Sequence, residues 1–409
     1  MDHANAADSG CSECDQTYLL GPARAGQTLR CRRCGHHLRH VPRAPVHTPL
    51  ALSLAALVFL PLLFAFPFLT IEQQGSRLSI DFFHTASSMM AGSYYLIAAL
   101  VILSLMIFPL IDTLLLVLLY SQILLRRQVG NNKFWLYLHS EMKAWLMVDV
   151  FLIGILVALV KITSYADVRF GPSFAAYCAF VILYLAALAC ADHHYLHQAL
   201  LGPNQKLLLS NGAPGQLCRQ CHQLNHSEDP RCRRCHHALD QRVPASIQKT
   251  LALLVAAVVL YVPASLYPIM NTTLLGKTDP STILGGVFLL WDLGSYPVAV
   301  VIFIASVLVP VAKMLALLWL CLAVTWAPMY CKQELTRLYR LTEFIGRWSM
   351  IDVFVVALLA ALIQIQGLAS ITPGPAAIAF SAVVILTMLS ARSFDPRLIW
   401  DQKEHNETR

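Results

Sequence analysis

The chain has 409 residues, of which 57% are hydrophobic and only 13% are charged, and its mean hydropathy is +0.59. A soluble protein of this length does not need so much apolar sequence, so the composition excludes an ordinary soluble fold and favours a polytopic α-helical membrane protein. The formal net charge of +7 is explained by the basic residues that flank the apolar segments of a membrane protein. We therefore expect no nucleic-acid partner.

Two polar segments carry the same cysteine pattern. Each contains two Cys-x-x-Cys pairs, with sixteen residues between the pairs in the first segment and ten in the second. Pairs on tight turns bring four thiolates into a tetrahedron, which Zn²⁺ prefers in closed structural sites. We therefore predict two structural zinc sites, whose ligands are Cys11, Cys14, Cys31, Cys34, Cys218, Cys221, Cys232 and Cys235.

The cysteine pattern leaves a second metal open. Iron also accepts four thiolates, so the spacing is compatible with a rubredoxin-like electron-transfer centre. We favour zinc, and the reducing cytosol disfavours disulfides. His36, His37, His236 and His237 follow the last cysteine of each segment, and we expect them to cap the turns or face solvent.

Eight stretches approach the length of about 20 residues with which a helix spans a bilayer. They form two groups of four, and each group follows one cysteine segment. We predict spans near Pro49–Ile71, Tyr94–Leu124, Ala144–Ser164, Phe174–Ala191, Lys249–Met270, Tyr296–Thr325, Trp348–Gln366 and Ala376–Ser390.

A short strand pattern follows the first span of each group. Thr70–Ile80 alternates apolar and polar residues about a Gly-Ser turn, which is typical of a β-hairpin. Asn271–Ile283 occupies the matching place in the second group. We expect two small hairpins on the outer face of the membrane.

The two groups resemble each other in sequence at a distance of about 200 residues. The stretch AWLMVDVFLIGILVALV from Ala144 matches RWSMIDVFVVALLAALI from Arg347, which places Asp149 on Asp352. We predict a tandem repeat of a zinc ribbon and a four-helix transmembrane domain. The predicted domains are zinc ribbon 1 (1–48), transmembrane domain 1 (49–200), zinc ribbon 2 (201–246), transmembrane domain 2 (247–392) and a tail (393–409).

Most basic residues lie on one side of the predicted spans. Of the 30 Lys and Arg residues, 25 fall in the cysteine segments, the loops after the second and sixth spans, and the tail. The positive-inside rule therefore places both termini and both cysteine segments in the cytoplasm.

Ionisable residues inside the predicted spans are few and occur at matched positions. Lys313 follows Pro310 by three residues, as Asp112 follows Pro109. Because an unpaired charge in lipid costs several kcal/mol, we expect Lys313 to pair with Asp352. The predicted buried network of the last three spans consists of Lys313, Asp352, Ser306, Ser349 and Thr387. It acts either as a static strut or as a proton-sensitive switch.

The first group has two acids and no matching lysine. Asp112 and Asp149 lie either in a hydrated cavity or, in the case of Asp112, across the interface between the repeats. After the fourth span, Asp192 precedes His193, His194 and His197, and a solvated helix end is expected there rather than a metal site.

Sequence patterns that indicate catalysis are absent. The chain has no Ser/His/Asp triad pattern, no GxxxxGK[ST], no GxGxxG and no HExxH. We therefore do not expect an enzyme.

Two Cys-x-x-Cys knuckle pairs before four spans each, together with RWSMIDVFVVALL, resemble the paraquat-inducible protein A family of Gram-negative intermembrane lipid transport proteins. The resemblance covers the chain from Cys11 to about Arg392, and Trp348–Val353 is its most specific part. It implies an inner-membrane protein with two zinc ribbons and two tetraspanin-like four-helix domains that carry small β-strands. It also implies that the eight cysteines bind metal and that the Lys313 network is the polar network of the membrane domain.

The resemblance further implies a partner and a cargo. Family members work with mammalian-cell-entry (MCE) domain proteins, whose hexameric rings form a tunnel across the periplasm, and move phospholipids between the two membranes. No MCE domain is present in this chain, so the tunnel is expected to be a separate protein. Two alternatives remain, a membrane redox protein with iron in the cysteine sites and a passive anchor for the MCE partner.

Overall fold

The computed structural model describes residues 7–20, 25–73, 76–80, 99, 102–127, 130–143, 145–162, 167–202, 215–226, 228–274, 277–292, 294, 296–326, 331–351, 353–356, 364–365 and 369–401. Most of these residues are helical, and short strands occupy the cysteine segments and the ends of several helices.

Helices make up the body of the protein. They are α1 (His47–Ala65), α2 (Phe108–Leu125), α3 (Asn132–Met142), α4 (Val148–Ile162), α5 (Pro172–Cys190), α6 (His193–Leu201), α7 (Ser246–Leu266), α8 (Ile283–Asp292), α9 (Tyr296–Phe303), α10 (Val309–Trp326), α11 (Lys332–Trp348) and α12 (Pro375–Ser393). The strands are β1 (Ala7–Gly10), β2 (Thr17–Leu20), β3 (Thr28–Arg30), β4 (His37–His40), β5 (Leu69–Gln73), β6 (Ser76–Ile80), β7 (Asp167–Phe170), β8 (Gly215–Leu217), β9 (Leu224–His226), β10 (Met270–Leu274), β11 (Lys277–Ser281), β12 (Gln364–Ile365) and β13 (Ala369–Pro373).

Six helical stretches of the described residues are long and apolar enough to cross a membrane. They are His47–Ala65, Leu103–Leu125, Pro172–Cys190, Ser246–Leu266, Ala299–Trp326 and Pro375–Ser393. They coincide with six of the eight predicted spans. The predicted third span contains α4, which has only 15 residues. Nine of the 19 residues of the predicted seventh span lie outside the described residues, and its Gln364–Ile365 forms strand β12.

Each half of the chain packs its helices in the same order. Helix α1 packs along α5 and against α2, and α7 packs along α12 and against α10. Small polar residues line the α7–α12 contact, where Thr250 and Ser390 donate hydroxyl hydrogen bonds to each other's carbonyl oxygens, at 3.4 and 2.9 Å. Small residues allow two helix backbones to approach closely in lipid, where hydrophobic burial does not drive association.

Aromatic side chains join the two halves. Phe151 in α4 and Phe354, which occupies the matching position of the second half, lie edge to face with ring centroids 5.5 Å apart. Both rings are almost fully buried, and one apolar core contains residues of both halves.

Antiparallel sheets lie at the helix ends opposite the cysteine segments. The predicted hairpins are present as β5–β6 and β10–β11. In each sheet a further strand pairs with the inner hairpin strand, β7 with β5 and β13 with β10. Sequence analysis missed β7 and β13, which enter their sheets through long-range pairing.

A glycine with no room for a side chain joins each sheet to the next helix. A β-carbon on Gly171 would lie 2.0 Å from the carbonyl oxygen of Pro67, and one on Gly374 would lie 2.0 Å from that of Pro268. The Gly171 amide also donates a hydrogen bond to the Phe68 carbonyl oxygen at 3.0 Å, and the Gly374 amide donates to the Ile269 carbonyl oxygen at 2.8 Å. The strand and the helix therefore meet backbone to backbone.

Replacing Gly374 by alanine tests this close approach. We expect Gly374→Ala to lower the free energy of unfolding by about 1–3 kcal/mol or more, because the neighbouring backbone must move. Melting of the purified protein in detergent measures the effect. Gly286→Ala is the control, since no heavy atom lies within 4 Å of its β-carbon position. Equal melting temperatures for Gly374→Ala and the unmodified protein would contradict the prediction.

Local π-helical turns precede Pro109 and Pro310. Leu103–Ile107 and Ile304–Leu308 have π geometry, and Pro109 and Pro310 follow in the first turn of α2 and α10. Proline has no N–H to donate a hydrogen bond to the carbonyl four residues earlier, and its ring would clash with that carbonyl in a regular α-helix. The wider π-helical turn leaves room for the ring. Such turns are frequent at functional sites in membrane helices.

Candidate functional site

Four identical turns hold the eight predicted metal ligands. In each turn the first cysteine's amide donates to a carbonyl five residues later, and the residue after the second cysteine donates back to the first cysteine's carbonyl. The residue after each second cysteine has a left-handed backbone, with φ between 54° and 74°. These residues are Asp15, Gly35, His222 and His236.

The sulfur atoms within each cluster lie close together. The Sγ atoms of Cys11 and Cys34 are 3.5 Å apart, as are those of Cys14 and Cys31. The second cluster has the same 3.5 Å spacing in its two corresponding pairs. A tetrahedral zinc with Zn–S bonds of about 2.3 Å requires sulfur separations of about 3.8 Å. Each cluster therefore fits a four-coordinate metal ion.

The neighbouring histidines are not part of the clusters. His36 donates to Glu13 at 2.8 Å, and His237 stacks on Tyr137. His37 and His236 are exposed. The exposed positions of His37, His236 and His237 agree with the solvent-facing role expected from the sequence, whereas His36 is partly buried and pairs with Glu13.

Metal content tests the two clusters separately. We expect the full chain to hold two metal ions, and Cys14→Ser and Cys221→Ser to hold one each, because a lost thiolate opens the site. Elemental analysis of purified protein gives the ratio. Cys178→Ser is the control, since Cys178 lies in α5 away from both clusters. A ratio that stays at two in both cluster variants would contradict the assignment.

An arginine from each cysteine segment binds an aspartate at the end of a membrane helix. Arg39 lies 2.9 Å from Asp192, and Arg219 lies 2.5 Å from Asp395. Asp192 also caps α6, and Asp395 caps the following 3₁₀ turn Pro396–Ile399. Each cysteine segment is thereby attached to the helix bundle.

The expectation that the chain is solvated at the end of the fourth span is wrong. Asp192, His194 and His197 are 7%, 8% and 1% exposed, because α6 packs against α2 and α3 and Arg39 of the first cysteine segment binds Asp192. Burial lowers the pKa of His194 and of His197 to about 3, so both rings are neutral near pH 7. Within the described part of the chain these side chains do not come together as a metal site.

Asp112 is fully buried in α2 and has two hydrogen-bond donors. His139 Nδ1 of α3 donates to one carboxylate oxygen at 2.7 Å, and the Tyr184 hydroxyl of α5 donates to the other at 2.5 Å. All three residues are at most 1% exposed. The partners belong to the same half of the chain, and Asp112 does not reach across to the second half.

Sequence analysis predicted Asp112 but missed His139 and Tyr184. His139 lies in the amphipathic helix α3, where a histidine resembles an ordinary surface residue. A tyrosine in an apolar span is equally ordinary. A buried carboxylate needs donors, however, and a search of neighbouring spans for hydroxyl and imidazole groups would have identified both candidates.

Tyr184→Phe removes one of these donors. We expect it to lower the free energy of unfolding by about 1–3 kcal/mol, because one buried carboxylate oxygen is left without a hydrogen bond. Thermal melting in detergent measures the change. Tyr296→Phe is the matched control, since Tyr296 is 53% exposed. Identical melting of both variants would show that the Tyr184 hydrogen bond does not contribute.

Lys313 occupies the position that matches Asp112. It is 3% exposed, and its ammonium donates to the Thr387 hydroxyl at 3.2 Å. Thr387 matches Tyr184, so the same pair of helix positions is joined in both halves. Gly346 lies beside the ammonium, and a β-carbon there would be only 3.0 Å from Nζ. The residue that matches Gly346 in the first half is Lys143. The second half therefore has a glycine in place of this lysine, and it has Lys313 in place of Asp112.

The other residues of the predicted network have mixed positions. Ser306 and Ser349 are each 3% exposed, and the Ser349 hydroxyl donates to the Ile345 carbonyl. Asp149 is half-buried in the first turn of α4. Asp352 lies outside the described residues. The structure thus brings Lys313 and Thr387 together, and the Lys313–Asp352 pair stays a prediction.

Comparison with known proteins identifies the family. The model for "Paraquat-inducible protein A" matches residues 46–200 and 247–404, which together make up most of the chain. The chain belongs to the paraquat-inducible protein A family.

Relatives of similar length support the assignment. The chain is 38% identical to the intermembrane transport protein PqiA of Escherichia coli, over 97% of this chain and 96% of the relative. It is 31% identical to the lipophilic envelope-spanning tunnel protein A of E. coli, over 98% and 92%. A probable intermembrane transport protein of Haemophilus influenzae is 28% identical over 95% of each chain. No solved structure matches the chain.

Proposed function

We propose that this family member is the inner-membrane component of a system that moves phospholipids between the membranes of the cell envelope. It passes lipids to or from a separate periplasmic tunnel of MCE-domain proteins and catalyses no reaction of its own. The similarity over nearly the whole chain to an intermembrane transport protein and an envelope-spanning tunnel protein carries this proposal.

The proposed architecture is eight spans in two copies of one module. The family model matches twice, and the contact between Phe151 and Phe354 joins matching positions of the two copies. The copies follow the predicted boundaries 49–200 and 247–392, each after a zinc ribbon, 1–48 or 201–246. The distribution of basic residues favours cytoplasmic ribbons, termini and tail, with the sheets in the periplasm.

Zinc is the proposed metal in both ribbons. The two clusters of four cysteines have the closed donor set of a structural zinc site, and metal binding would supply folding energy to these short segments. An iron centre would make the protein a redox protein instead. A visible absorption spectrum separates the two, since zinc protein is colourless and a four-thiolate iron site is red.

We call the proposed coupling of transport to protons the motor. It is a proton-dependent change at Lys313 and Asp352, and the polar residues assigned to it are Ser306, Ser349, Thr387, Asp149 and Asp112. The burial of Lys313 against Thr387 supports it, because a charge at this depth needs polar partners inside the protein. A proton that neutralises Asp352 would release the lysine and allow the helices to move.

Two variants test the motor. We expect Asp352→Asn and Lys313→Ala each to abolish transfer of labelled phospholipid from proteoliposomes to the MCE partner, because each removes one charge of the pair. Asp279→Asn and Lys249→Ala make the same chemical changes at exposed positions and are expected to transfer normally. Co-purification with the MCE protein controls for folding and assembly.

Full transfer by both variants would show that Lys313 and Asp352 only support helix packing. The remaining alternative, a passive anchor for the tunnel, predicts transfer that continues after the proton gradient is collapsed. The proposed motor predicts that transfer stops.

A further inference from the structure

A cavity of about 440 Å³ lies between the two halves of the bundle, on the side of the cysteine segments. The end of α3, the face of α11, the end of α12 and Lys313 of α10 form its walls. Its charged lining residues are Lys143, Lys313, Arg340, Arg392 and Glu343. Cations thus outnumber acids four to one in this lining.

The two arginines already have acidic partners. Arg340 binds Glu13 of the first cysteine segment through Nε at 2.8 Å, and Arg392 binds Glu141 of α3 at 3.0 Å. These ion pairs hold the walls of the cavity in place, since each joins two different segments of the chain. They leave the two lysines to face the cavity.

Within the described residues neither lysine has a carboxylate at salt-bridge distance, and Asp352, the partner proposed above for Lys313, lies outside those residues. Lys313 donates to Thr387, a neutral hydroxyl. Burial lowers the pKa of Lys143, and the nearby carboxylate of Asp112 opposes this shift. The oxygens of that carboxylate already accept hydrogen bonds from His139 and Tyr184.

An anion in the cavity would compensate Lys143, and it would also compensate Lys313 in the state in which this lysine is released from Asp352. Buried ammonium groups are costly without a counter-charge, and lysine is a common phosphate ligand because it supplies a point charge with three donors. The cavity volume falls in the range of about 300–1,000 Å³ that is usual for small-ligand sites. Gly346 adds room, because it has no side chain where Lys313 enters the cavity.

We propose that this cavity binds a phosphate group, with Lys143 and Lys313 as the two ammonium donors that face it. The phosphate belongs either to a phospholipid headgroup at the edge of the bilayer or to free inorganic phosphate. Binding itself does not depend on the proposed transport function, and only the role of the site as an entry or exit point for lipid rests on it.

Calorimetric titration of the full-length protein in maltoside detergent tests the site. The probes are inorganic phosphate, dihexanoyl phosphatidylglycerol and dihexanoylglycerol, which has the same chains without phosphate. We expect the first two to bind, and Lys143→Gln to weaken their binding at least about tenfold, because a charge-assisted hydrogen bond is lost. Arg337→Gln is the matched control, since Arg337 lies on α11, outside the cavity, and pairs with Glu334 at the surface.

The choice of probe separates the two sources of phosphate. Equal affinities for inorganic phosphate and the short-chain lipid identify the phosphate group alone as the ligand. At least tenfold tighter binding of the lipid, with no binding of dihexanoylglycerol, identifies a headgroup site. Both outcomes support the proposal when Lys143→Gln weakens binding and Arg337→Gln does not.

Stability gives an independent readout in the same samples. We expect phosphate to raise the melting temperature of the unmodified protein and not that of Lys143→Gln, because a ligand stabilises the folded state that binds it. Absence of binding by both phosphate probes, or equal losses in Lys143→Gln and Arg337→Gln, would overturn the proposal. Lipid transfer is assayed separately, so either result leaves the transport function to be judged by its own experiment.

Discussion

A charge buried among apolar helices must find its hydrogen bonds inside the protein, and this constraint organises both halves of the structure. Asp112 and Lys313 occupy matching positions, one after each π-helical turn, and each is hydrogen-bonded to a side chain of the last long apolar helix of its half, α5 or α12. Bilayer lipid offers no alternative partners, so Tyr184 and Thr387 determine how closely these helices pack.

The same position carries opposite charges in the two halves, and its surroundings differ accordingly. The acid has an imidazole and a phenol as donors, whereas the lysine has a small hydroxyl and the open space beside Gly346. Lys313 also borders the cavity between the two halves.

The cysteine segments are also held in fixed positions, at the ends of the helices. Four identical turns arrange the thiolates, and Arg39 and Arg219 then attach each segment to an aspartate at a helix end. Glu13 of the first segment also binds Arg340 of the second half, so the first segment bridges both halves. Loss of metal in one segment would consequently disturb the helix contacts as well as the local turns.

Much of this architecture follows from sequence alone. Hydropathy located the six long helices, cysteine spacing located both metal clusters, and the alternating pattern located both hairpins, because each depends on residues close in the chain. Tertiary structure decided what comes together from far apart. It added β7 and β13 to the hairpins, gave Asp112 its partners His139 and Tyr184, and buried His194 and His197 where α6 packs against α2 and α3. Hydrogen bonds and burial of this kind depend on the packing of distant segments, which local composition and spacing do not encode.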